Sequence, residues 1–184
     1  MKKAVEKTIL IAGVGNIFHG DDAFGVEVAQ ELMKRDWPAA VQVGEFGIRS
    51  YDFAYELMNG YDTLVLVDAT RQGGDPGTLY LIEPDLGALD ELEGEIVNAH
   101  GMNPVRTLAL VETLGGELGD MKLYLVGCEP ARLEPEGGEL GLSRAVQPAV
   151  RGAVEMIESL IDDLQNEDDP ARPAEAEIQS YPEP

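Results

Sequence analysis

Apolar runs of strand length alternate along this chain with longer stretches in which apolar residues return every three or four positions. The runs from Thr8 to Val14, Val41 to Glu45, Thr63 to Asp68, Thr78 to Ile82 and Met121 to Val126 carry Val, Ile, Leu and Thr in density, and they predict five strands. From Asp22 to Lys34 the period changes: Phe24, Val28 and Leu32 recur at four-residue spacing, with Val26, Ala29 and Met33 widening the stripe, which predicts a helix. A second helix is expected from Ser50, a suitable N-cap, to Met58, where Asn59-Gly60 supplies the stop. A third starts at Asn103-Pro104, because the missing N–H of proline costs nothing at the first helical position, and ends at Gly115-Gly116. The last spans Arg144 to Leu164. Ser143 suits its cap, but Pro148 then falls about a turn inside, so this helix either begins nearer Gln147 or is kinked. Such alternation is the pattern of an α/β domain whose helices cover both faces of a mostly parallel sheet.

The segment from Gln165 to Pro184 has no period. It holds four prolines, six acids and one base, and it predicts a flexible tail behind a single domain of residues 1–164. At 184 residues in all, one domain with its own core is the expectation. The formal net charge of −22 would repel nucleic-acid phosphates and anionic lipid; without the tail, 29 acids still face 12 bases. Cys128 is the single cysteine, so neither an intramolecular disulfide nor a cysteine zinc cluster is available, which suits a reducing cytoplasm. The basic start and short apolar run of the N-terminus lead into a glycine turn and are read as a first strand rather than a signal peptide. No apolar run approaches the roughly 20 residues of a membrane span.

The strongest local feature is Gly13-Val14-Gly15-Asn16-Ile17-Phe18-His19-Gly20-Asp21-Asp22, between the first strand and the first helix. Glycines there permit a tight turn at the carboxyl edge of the sheet, where ligand sites collect. A dinucleotide loop is disfavoured, although Glu45 ends the second strand as a ribose-binding acid would. Phe18 replaces the third glycine, and Asp21 and Asp22 put negative charge where a pyrophosphate would sit. These two aspartates have two readings, capping of the helix start or participation in a site. Asp68 closes a strand that should be central, and is read either as a site residue or as an anchor of the loop Ala69 to Gly74, with Arg71 as partner. His100 precedes a helix whose dipole favours neutral imidazole, the form that binds metal; the ordinary alternative is a solvated loop histidine. Two carboxylates and an imidazole from three loops make an incomplete sphere suited to nickel, zinc or manganese. His19 is read as a turn residue rather than a fourth ligand. Cys128 is read as a packing residue with no catalytic role.

Taken in order, Gly13-Val-Gly-Asn16, Gly20-Asp-Asp22, Val67-Asp68-Ala69, Ala99-His100-Gly101 and Val126-Gly127-Cys128-Glu129-Pro130 resemble the hydrogenase maturation endopeptidase family, over about Thr8 to Leu160. Gly141-Leu142-Ser143 before the last helix is similar to the family too. The resemblance implies a three-layer α/β/α sandwich with a twisted, mostly parallel five-stranded sheet. It also implies an endopeptidase that removes the C-terminal extension of a nickel-iron hydrogenase large-subunit precursor after nickel insertion. Carried over by position, Asp22, Asp68 and His100 resemble the metal-contacting triad, with Asp22 where many members carry glutamate. The nickel is then the substrate's own, with no organic cofactor, and the enzyme is expected to be a monomer. Glu45-Phe-Gly-Ile-Arg-Ser50 departs from the D-G-G-T-x-G pattern of some members at Phe46, Ile48 and Ser50. Competing classes are a metal-binding assembly chaperone without proteolysis and a nucleotide-binding oxidoreductase. No serine or cysteine triad is visible in the sequence. Because the tail lacks an apolar face, deleting Gln165 to Pro184 should leave the thermal midpoint nearly unchanged, and a differential scanning calorimetry trace of the shortened chain checks this.

Overall fold

Strands form where apolar β-formers run together, and the computed structural model, which describes residues 7–84, 104–133 and 138–166, places five of them in one sheet. They are β1 (Ile9–Val14), β2 (Val41–Gly47), β3 (Thr63–Ala69), β4 (Leu79–Ile82) and β5 (Lys122–Cys128). The sheet order is β2-β1-β3-β5-β4, with the first four strands parallel and β4 antiparallel to β5. Every residue of β1 and β3 is buried, whereas β2 and β4 at the edges are partly exposed. The expected α/β sheet is present, and only the short β4 breaks its parallel run.

Side chains alternate between two cores, as the two-residue period of a strand requires. Ile9, Ile11, Val65, Val67, Tyr124 and Val126 pack with helices α1 (Phe24–Leu32) and α4 (Ala149–Asn166). Leu10, Ala12, Leu64, Leu66, Leu123 and Leu125 pack on the other face with α2 (Ser50–Leu57) and α3 (Pro104–Thr113). The helices thus form two outer layers, and Phe24 and Phe53, both fully buried, anchor one core each. Burial of such a ring stabilises by about 1.5–3 kcal/mol relative to exposure.

Several element ends differ from expectation for local reasons. A single 3-10 turn, Asp21–Ala23, precedes α1, so the α-helix begins two residues after Asp22. Ser50 is the first residue of α2 rather than its cap; Arg49 holds the cap position without a side-chain cap bond, and its guanidinium instead bonds the Glu45 carbonyl and pairs with Asp52. Pro104 opens α3 as expected, while Asn103 lies outside the described residues. Residues 144–148 are turns, with the Val146 N–H donating to the Ser143 hydroxyl at 3.4 Å, and α4 starts only after Pro148. Proline cannot donate within a helix, so the start falls just behind it. At its other end α4 continues to Asn166, two residues past its expected end, with Leu164 in the core; residues 167–184 lie outside the described residues.

Helix α1 lies unusually close to the sheet. A Cβ on Gly25 would sit 2.0 Å from the Val67 carbonyl oxygen and 2.4 Å from that of Val14, and one on Gly13 would sit 2.2 Å from the Gly25 carbonyl oxygen. Glycine is therefore required at both, because the displaced atoms would be backbone. Helix propensity alone favours Gly25→Ala by about 1 kcal/mol, yet the overpacking penalty of about 1–3 kcal/mol or more should prevail. Urea unfolding should accordingly show a lower midpoint for Gly25→Ala than for the parent chain.

Candidate functional site

The site follows from the strand order. The chain leaves β1 for β2 on one side and leaves β3 for β4 and β5 on the other, so the loops after β1 and β3 diverge and open a crevice at their carboxyl ends. Asp22 follows β1 and Asp68 is the penultimate residue of β3, so the crevice brings them together. Gly15 shapes it. Its φ is +124°, and a Cβ there would lie 1.8 Å from the Asp22 carbonyl oxygen and 3.8 Å from Asp68 Oδ1. The first loop is thus pressed against the Asp22 backbone beside the Asp68 carboxylate, where no other residue type fits.

Both carboxylates are almost withdrawn from water, Asp22 at 6% and Asp68 at 3% exposure. The Asn16 N–H donates to Asp22 Oδ2 at 2.9 Å, and the Ala69 N–H donates to Asp68 Oδ1 at 2.8 Å. Asp22 lies inside the 3-10 turn, and the cap positions of that turn and of α1 are held by Gly20 and Ala23. Burial raises the Asp68 carboxyl well above the usual carboxylate range, and the charge of Asp22 raises it further, against the opposing effect of the Ala69 N–H. Two acids with like charge and few donors suit a cation, which would offset the repulsion. His100 lies outside the described residues, and among the described residues no three such ligands cluster. The groove between α1 and α4, lined by residues such as Glu31, Leu142, Arg151 and Glu158, contains neither aspartate and only surface charge.

The fold that carries these acids recurs in known proteins. The sequence profile of the hydrogenase maturation protease family matches residues 26–160. The chain belongs to the hydrogenase maturation protease family. A Methanocaldococcus jannaschii protein provisionally named a hydrogenase maturation protease is 32% identical over 161 residues, covering 85% of this chain and 96% of its own. Among solved structures, the hydrogenase maturating endopeptidase HybD of Escherichia coli superposes with a TM-score of 0.70 at 26% identity, covering 85% of this chain and 93% of that one. The [NiFe] hydrogenase maturation protease HycI of Thermococcus kodakarensis gives 0.65 at 27% identity, covering 86% and 95%. This chain is accordingly a peptidase with the α/β architecture of those enzymes.

Within this hydrogenase maturation protease, neighbouring polar residues divide into distinct roles. Asp21, adjacent to Asp22 and 1% exposed, faces away from capping: Oδ2 accepts from the Ala131 and Arg132 N–H groups at 2.9 and 3.0 Å, and Oδ1 from that of Ser143 at 2.7 Å. It ties the first loop to the segments after β5 and before α4. Motif position set Asp22 apart from Asp21 in the sequence, but residue type and local pattern assigned Asp21 no role of its own. His19 lies in a turn whose N–H donates to the Asn16 carbonyl, and it bridges to Glu139. Its Nδ1 is 3.4 Å from the Asn16 side-chain nitrogen. Cys128 is fully buried in the α1/α4 core, and burial, with Asp21 and Glu129 nearby, pushes its thiol up to about 12, the opposite of an activated nucleophile. The Asp68 loop is not anchored through Arg71. Glu129 holds it instead, a role the sequence reading left unassigned although this acid directly follows a strand within the Val126–Pro130 motif.

A raised acid couples stability to pH with a definite sign. The folded state holds the Asp68 proton more tightly than the unfolded chain does, so stability is complete below the unfolded carboxylate value and is lost as pH rises through the raised folded value. In metal-free protein, urea midpoints measured from acid to neutral pH should fall for the parent chain, whereas Asp68→Asn should show a flatter profile and a higher midpoint at neutral pH.

Proposed function

We propose that this protease removes the C-terminal extension of a nickel-iron hydrogenase large-subunit precursor after nickel insertion, reading the substrate's nickel through Asp22, Asp68 and His100. The observation that carries the proposal is the pair of almost wholly buried, mutually repelling carboxylates at the switch point between β1 and β3. The cation that relieves this repulsion need not be stored by the enzyme. An incomplete set of protein ligands leaves coordination positions for groups that belong to the substrate's own metal centre. His100 stands four residues before the start of α3 in sequence and supplies the nitrogen ligand in this reading. Nickel brought by the precursor supplies positive charge at the carboxylate pair and so couples docking to completed insertion.

Hydrolysis needs water as nucleophile and an acceptor for its proton. A carboxylate of the pair takes that proton, since the inert thiol of Cys128 offers no covalent route. The leaving amine recovers a proton, so the sequence ends with two chain ends and the carboxylates unchanged.

Metal-free enzyme should cleave a nickel-loaded precursor and leave the nickel-free precursor intact, with intact mass reporting the product. Equal cleavage of both would reject substrate-metal recognition. Asp68→Asn and His100→Ala should each lower kcat/KM for the loaded precursor about tenfold or more, while Asp22→Glu should be the mildest change and Cys128→Ser should retain activity. Metal-dependent binding without any product would instead favour an assembly chaperone.

A further inference from the structure

Glu129 is the penultimate residue of the Val126–Pro130 motif, and the reaction scheme above gives it no part. Its side chain is buried, at 6% exposure, in a chain whose acids otherwise mostly face water. Oε2 accepts three hydrogen bonds: from the Gln72 N–H at 2.7 Å, the Gly74 N–H at 3.2 Å and the Tyr80 hydroxyl at 3.0 Å. The two N–H donors belong to the loop that leaves Asp68, and Tyr80 is the second residue of β4, which that loop enters. Burying a carboxylate is costly unless its acceptors are used, and here the donors come from the loop after Asp68 and from the strand it leads into.

The origin of the side chain is itself held firmly. Asp68 pairs with Gly127 in the sheet, so Glu129 emerges two residues beyond the partner of Asp68 on the adjacent strand. The Thr70 N–H donates to the Cys128 carbonyl at 2.9 Å, the Glu129 N–H to the Thr78 carbonyl at 2.8 Å, and the Gly77 N–H to the Glu129 carbonyl at 2.8 Å. Gly127 has no side chain because Thr70 Cβ would stand only 3.0 Å from a Cβ there. The loop after Asp68 is thus seated on the end of β5 and then drawn down by one carboxylate oxygen. Asp21 does the corresponding work for Asp22, and it too bonds the chain just past Glu129, at Ala131 and Arg132.

We infer that Glu129 is a positioning residue, a clamp that holds the loop after Asp68 and so sets the Asp68 carboxylate against Asp22. This rests on the proposed function only in what the clamp serves; the clamp itself is a matter of geometry. Loss of a group that orients a ligand residue typically lowers activity about 10- to 100-fold. Glu129→Gln keeps an oxygen able to accept the same bonds, Tyr80→Phe removes one donor of three, and Glu129→Ala removes the acceptor altogether.

The test compares these three full-length variants with the parent on the nickel-loaded precursor, at a temperature where thermal melts show each still folded, and follows amide hydrogen exchange at Gln72 and Gly74. The expected result is a graded loss in kcat, smallest for Tyr80→Phe and Glu129→Gln and largest, about tenfold or more, for Glu129→Ala, with KM changed less than about twofold. Exchange at the two amides should quicken in Glu129→Ala and be restored towards the parent rate in Glu129→Gln. Unchanged exchange in Glu129→Ala overturns the clamp. Quickened exchange with unchanged kcat overturns its positioning role, as does a kcat loss that merely follows the unfolded fraction. A parent enzyme that fails to cleave the precursor rejects the proposed substrate, and the clamp then stands or falls on the exchange rates alone.

Discussion

Two aspartates held out of water beside each other make the costliest feature of this fold, and the surrounding structure is organised to keep them there. An ionised carboxylate removed from water loses several kcal/mol of solvation unless partners replace it. Asp22 and Asp68 receive backbone N–H groups from Asn16 and Ala69, and the charge of Asp22, on top of burial, raises the Asp68 carboxyl. The compensation lies elsewhere, in two continuous apolar cores that surround fully buried central strands. A site under electrostatic strain is carried by a scaffold whose hydrophobic burial is independent of it.

Close approach is the second requirement, and glycine supplies it. Gly13 and Gly25 let α1 settle onto the ends of β1 and β3, which brings the start of the helix and the preceding 3-10 turn over the crevice. Gly15 then lets the loop backbone lie against that of Asp22, beside the Asp68 carboxylate. Around this centre, Asp21 and Glu129 each accept three hydrogen bonds and tie separate loops to the segment beyond β5. The motif at Val126–Pro130 is thereby connected to both site aspartates, and the burial of Cys128 between these tethers explains why its sulfur is a packing atom.

Much of this was written in local pattern. The strand period set all five strands to within two residues or so, the helical stripe marked α1, and the acid closing the Thr63–Asp68 run announced a site at a carboxyl edge. Those features are legible because periodicity and strand-end position are properties of neighbouring residues. Ser50 misled as a cap because an N-cap preference is a local tendency, and Arg49 found better partners in Glu45 and Asp52 across a turn. The start of α4 was undecided for a similar reason, since Ser143 and Pro148 gave conflicting signals, and in the folded chain residues 144–148 form turns while the helix starts behind the proline.

The sequence by itself determined the α/β class, the sheet-edge loops that carry acids, and the ordered motifs that resemble the protease family. Tertiary structure decided which acid does what. Asp21 and Asp22 are chemically the same, yet consecutive residues in a 3-10 turn point about 120° apart, so one is directed to backbone N–H groups 110 to 122 residues away and the other to the crevice. Glu129 takes its role from donors more than 48 residues distant in the chain. No local preference encodes such partners, because they exist only once β3 and β5 lie side by side and the loop between β3 and β4 has folded back over them.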